Sequence, residues 1–83
     1  MKSDEAYAIA QAAMAQLKAA IFMQLKAAGE RGLKNSELGR SLGIYTGHVE
    51  HEGHISRTLL EIMKAEGVVE QNEQTKVWSL RTY

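Results

Sequence analysis

The chain has 83 residues with ten basic and ten acidic side chains, so its formal charge is zero and the plainly basic composition of many nucleic-acid binders is excluded. That length fits one domain, near the lower end of what a hydrophobic core holds without staples, and with no cysteine neither disulfides nor thiolate metal sites can contribute. An intracellular, cytoplasmic protein is expected. The Ala-rich N-terminal segment is interrupted by Gln11, Gln16 and Lys18, which reads as neither a signal peptide nor a membrane span.

From Asp4 to Ala28 there is no Gly or Pro, and Ala, Gln, Leu, Met and Lys dominate, so one long helix is predicted. Ser3 can cap it, Asp4 and Glu5 suit the positive end of its dipole, and Gly29 ends it. Tyr7, Ala10, Met14, Leu17, Ile21, Leu25 and Ala28 recur at spacings of three and four and mark its apolar face. Leu33 opens the next element. A short helix capped by Asn35 or Ser36 runs through Leu42 with Leu38 and Leu42 inward and Glu37 and Arg40 outward, and Gly43 closes it. Ile44 to Gly53 is a loop carrying His48, Glu50, His51 and Glu52, longer than a tight helix-turn-helix turn. A third helix follows up to Gly67, with Ile55, Leu59, Ile62 and Met63 inward and His54, Arg57, Thr58, Glu61 and Lys64 outward. Val68 to Gln71 and Thr75 to Leu80 are β-prone runs around a polar tip of Asn72, Glu73 and Gln74, a hairpin in which Trp78 and Leu80 share the packed face.

The order is three helices and a hairpin: a mainly α fold with a small β-hairpin. Within it GLKNSELGRSLGI, followed by GHISRTLLEIMKAEGVV, resembles the winged helix-turn-helix modules found beside, or fused to, restriction endonucleases, which tend to read G-L-x-N-x-E-L-x-x-x-L-G, an inserted loop, then a helix closing on E-G-x-V. The resemblance covers roughly residues 17 to 80 and implies a winged helix-turn-helix domain over 17–83, with residues 1–16 as an N-terminal helix extension. It further implies duplex DNA as the partner, the third helix in the major groove and the hairpin as a wing on the backbone. Position by position, Ser56, Arg57, Thr58, Glu61 and Lys64 become the recognition surface, and Lys76 with Asn72 and Gln74 the wing. Transcriptional regulation or an accessory role in a restriction-type system are the contexts it suggests.

Arg57 is the foremost candidate contact, since a guanidinium at the start of a recognition helix reaches a guanine edge or a phosphate; the competing reading is a surface pair with Glu61 one turn on. Lys34, Arg40 and Lys76 are candidate phosphate contacts, or solubilising charges. From Leu33 onward six basic residues (Lys34, Arg40, Arg57, Lys64, Lys76, Arg81) stand against seven acidic ones (Glu37, Glu50, Glu52, Glu61, Glu66, Glu70, Glu73), a net of minus one. That balance keeps open a protein-interaction module on the same scaffold, or a pure dimerisation subunit.

His48, His51 and His54 have no recognised metal-ligand spacing and read as a polar exposed turn, so no metal or other cofactor is implied. Their protonation would add positive charge beside the third helix and strengthen DNA binding in mildly acidic solution. Asp4 to Gln16 extends beyond the core by on the order of 19 Å. Tyr7, Ala10, Met14 and Leu17 keep an apolar stripe through that overhang, which points to a homodimer, with folding back over the hairpin as the alternative. No Walker loop, Gly-x-Ser-x-Gly elbow or His-Glu-x-x-His motif occurs, so no enzymatic activity is expected.

Overall fold

Unbroken helix formers give a single helix, α1, spanning Ser3–Ala28. The computed structural model describes residues 3–46 and 52–81; the Ser3 side chain, and with it the expected cap, lies outside what is described. A 3₁₀ turn at Gly29–Arg31 leads to α2, Asn35–Ser41; then come α3, His54–Ala65, β1, Val69–Gln71, and β2, Trp78–Leu80. The protein is thus mainly helical, with a long N-terminal helix and a two-stranded antiparallel hairpin.

The core is built on the C-terminal half of α1. Ile21 and Leu25 are fully buried and meet Leu33 and Leu38 from the α1–α2 side, Leu59, Leu60 and Met63 from α3, and Val69 and Trp78 from the hairpin. Each such side chain contributes roughly 1.5–3 kcal/mol by leaving water. The N-terminal part of α1 takes no share in this: residues 4–13 are all exposed, so the overhang does not fold back over the hairpin. Ile55, expected inward, is 41% exposed. Ser56 takes an inward position instead and is completely buried.

The N-terminus of α2 also differs from expectation. Neither Asn35 nor Ser36 caps it; the preceding Lys34 does so through its backbone, whose N–H donates to Glu37 Oε1 at 2.8 Å. Asn35 Nδ2 instead donates to the Gly53 carbonyl at 3.2 Å, joining the start of α2 to the start of α3. The strands are shorter than the β-prone runs because the chain turns between Asn72, whose N–H donates to the Val77 carbonyl at 2.9 Å, and Lys76, whose N–H donates to the Asn72 carbonyl at 2.7 Å; Asn72 Oδ1 holds the turn by accepting from the N–H groups of Gln74 and Thr75, at 2.9 and 3.0 Å. Pairing is Val69 with Leu80, Glu70 with Ser79 and Gln71 with Trp78.

Leu33 adds one residue to this sheet. Its N–H donates to the Trp78 carbonyl and its carbonyl accepts from the Trp78 N–H, both at 2.8 Å. The approach requires Gly32: at φ +66° a Cβ there would lie 2.4 Å from the Trp78 carbonyl oxygen. Gly29 has a similar φ of +64° but open space around the missing Cβ. Gly29→Ala should therefore cost about 1 kcal/mol for the left-handed backbone alone, and Gly32→Ala about 3 kcal/mol or more because the backbone contact must also open. Urea unfolding of both variants measures the difference.

Candidate nucleic-acid interface

The bridge between Leu33 and Trp78 sets their neighbours side by side. Lys34, Asn35 and Ser36, at the start of α2, face Gln71 and Lys76 of the hairpin across a groove of about 420 Å³, and Arg57 and Glu61 on α3 form its third wall, with Tyr45 and Trp78 beneath. Three elements far apart in the chain thus deliver three cations and one carboxylate to one concavity, a local charge of plus two (Lys34, Arg57 and Lys76 less Glu61) on a chain whose total is zero.

Arg57 is exposed, and among the described residues no carboxylate lies within ion-pair distance of its guanidinium, so the pair with Glu61, its competing reading, is not formed. Lys76 stands at φ +65°, a conformation that favours Gly or Asn. Glu73 at the hairpin tip sits 3.5 Å from Lys76 Nζ and 3.9 Å from Lys64 Nζ, tying the tip to α3. Lys64 is thus held against the hairpin outside the groove. Arg40, on the exposed face of α2, stacks over the Tyr45 ring with 4.6 Å from guanidinium to centroid; the same ring lines the groove, so Arg40 flanks it from behind α2.

Besides Arg40 and Lys64, two more of the expected contacts, Ser56 and Thr58, lie off the groove. Ser56 is no surface residue: its Oγ donates to the Gly53 carbonyl at 3.3 Å, and it packs so closely on Gly39 of α2 that a Cβ there would come within 2.9 Å of Oγ. A small polar residue at this position lets α2 and α3 approach, and its projection on α3 lies between Leu59 and Leu60, which sequence periodicity could have indicated. Thr58 is exposed but lines a different, apolar groove with Met14, Leu17, Ile55 and Leu59. Asn35, Ser36, Tyr45 and Gln71 were not expected at the site; Asn35 and Ser36 carried a signal, standing first in the helix that precedes the third one. His48 and His51 lie outside the described residues, and His54 begins α3.

Of the acidic residues that made the whole region look unfavourable, Glu37 and Glu66 are paired away from the groove. Glu66 accepts from Lys18 at 2.8 Å, Glu37 accepts from the Lys34 N–H and lies 3.9 Å from Arg31, and Glu70 is on the opposite side of the hairpin, beside Glu30 and Ser79. Comparison with known proteins gives no match, whether to a family model, a curated protein or a solved structure.

Because Ser56 is internal, Ser56→Ala should lower stability by about 1 kcal/mol, the usual worth of one buried hydrogen bond, read from the shift in urea midpoint.

Proposed function

We propose that the chain is a winged helix-turn-helix protein that binds duplex DNA through the groove between α2, α3 and the hairpin. The observation that carries this reading is the convergence of Lys34, Arg57 and Lys76 from three separate elements on one concave face, with Arg57 unengaged by any described carboxylate. Phosphates are held by cations spaced along a surface, and bases are read by a planar donor on an exposed helix. In this reading α3 enters the major groove, Arg57 contacts a base edge or phosphate, and Glu61 accepts from a base amino group such as that of cytosine. Lys34 and Lys76 hold phosphates on either side, with Arg40 and Lys64 at the margin. A lysine kept at positive φ on the hairpin supports the same role, since a binding contact accounts for a residue type that the backbone there disfavours. The resemblance to modules accompanying restriction endonucleases suggests a transcriptional regulator or a restriction-system accessory protein.

A protein-interaction module is the second reading, favoured by Tyr7, Ile9 and Met23, which are 68, 59 and 69% exposed on α1. The two are separated by salt. Fluorescence anisotropy of a labelled duplex should show binding whose log affinity falls against log salt with a slope of about −3 per protomer, from three neutralised phosphates at about 0.9 each. Arg57→Ala should weaken it about tenfold or more, whereas an unchanged affinity removes Arg57 from the interface. Lys76→Gly should separate stability from binding: the protein gains up to about 1 kcal/mol in urea as the left-handed residue is relieved, while duplex affinity falls and the salt slope drops by about 1.

A further inference from the structure

The stripe on α1 does not end where the core ends. Tyr7, Ala10, Met14 and Leu17 continue the line of Ile21 and Leu25, and at its inner end Met14 and Leu17 form, with Ile55, Thr58 and Leu59 of α3, an open and almost wholly apolar groove of about 290 Å³. By length and composition the segment Asp4–Arg31 could cross a membrane. Its C-terminal half, however, holds the core through Ile21 and Leu25, and Lys18 is bonded to Glu66 at 2.8 Å. The fully exposed part, residues 4–13, spans about 15 Å at 1.5 Å per residue, against the roughly 30 Å of a bilayer interior.

We infer that the occupant of this stripe and groove is a second copy of the chain, its α1 overhang running antiparallel to the first. The spacing of the stripe is self-complementary in that direction: Tyr7 of each copy faces Leu17 of the other, and Ala10 faces Met14, so large side chains meet small or aliphatic ones in four successive layers. The Tyr7 ring enters the groove beside Ile55 and Leu59, where the Thr58 hydroxyl at the rim is a partner for the phenol. Charge fits as well. In an antiparallel pair each flank meets its own counterpart, and by a rotation of about 100° per residue Asp4, Gln11 and Lys18 share one flank. Asp4 of one copy then lies beside Lys18 of the other, whose ammonium has donors to spare beyond Glu66, and the two Gln11 amides meet near the two-fold axis. A parallel pair offers neither match, because it puts this flank of the two copies on opposite sides of the seam. The arrangement covers exposed apolar surface on both copies and leaves the polar groove of each on the outside, independent of what that groove binds.

Sedimentation equilibrium of the full chain tests this. A dimer is expected at micromolar concentration, with Ala10→Glu weakening it at least tenfold and Ala12→Glu, on the opposite face of the same exposed helix, leaving it intact; circular dichroism checks that both variants stay folded. Since the chain has no cysteine, Gln11→Cys gives a single thiol that forms a disulfide dimer on oxidation if the helices are antiparallel, whereas in a parallel pair the two thiols lie on opposite sides. A monomer at 100 μM, roughly the weakest self-association a specific dimer of use would show, overturns the proposal, as does a dimer indifferent to Ala10→Glu or a Gln11→Cys variant that fails to cross-link. Co-sedimentation of the monomer with phosphatidylcholine vesicles would assign the stripe to a lipid surface instead.

Discussion

Two hydrogen bonds between Leu33 and Trp78 fix the relation of the helical and β parts of this protein. Helix pairs pack through side chains and tolerate small shifts, but a backbone bridge with both bonds at 2.8 Å sets one register and one distance. Leu33 precedes Lys34 and α2; Trp78 follows Lys76 and Val77. Closing the bridge therefore brings a lysine from each side to the same groove, and the buried indole of Trp78 fills the space beneath them. Gly32 is the condition for it, since any side chain there would meet the carbonyl that Leu33 must reach.

The second constraint is electrostatic. A chain with equal numbers of acids and bases can still present a cationic face if the acids are occupied elsewhere, and here Glu37, Glu66 and Glu73 each have a cation within 4 Å. Such exposed pairs add little stability, on the order of 0–1 kcal/mol each. Their effect is on where charge is left over: Arg57 has no such partner among the described residues, and it stands on the groove. Glu73 shows the compromise, drawing Lys64 and Lys76 toward the hairpin tip, so that any anion bound in the groove would compete with a carboxylate for Lys76.

The helices and hairpin could be read from the sequence because their signals are local: an unbroken run of helix formers in α1, glycines at the ends of α1, α2 and α3, and the apolar period of the core. The errors arose where tertiary contacts decide. Ser56 looks like a surface residue by type, yet it is buried because α2 approaches so closely at Gly39 that a Cβ there would come within 2.9 Å of the Ser56 hydroxyl. Ile55 looks internal by type, yet it lines an open groove between α1 and α3 and is 41% exposed. The strands are short because the chain turns from Asn72 to Lys76, a turn that the Asn72 side chain holds by accepting from the Gln74 and Thr75 N–H groups. Of the candidate site, Lys34, Arg57, Glu61 and Lys76 were recoverable by position in the fold, whereas Asn35, Tyr45 and Gln71 depend on the bridge between Leu33 and Trp78, which leaves no periodic trace.

Two faces with different chemistry thus leave the core in different directions, a polar groove across α2, α3 and the hairpin and an apolar stripe along α1. The first of these is the proposed nucleic-acid face. The most direct test is to titrate the isotopically labelled protein with a random-sequence DNA duplex and follow each backbone amide by ¹H–¹⁵N correlation spectra. The account predicts that the amides of Lys34, Ser36, Arg57, Glu61, Gln71 and Lys76 move together with added duplex and return with added salt, while those of Ile9, Phe22 and Met23 stay in place. Shifts confined to α1, or a spectrum unchanged by the duplex in low salt, would contradict it.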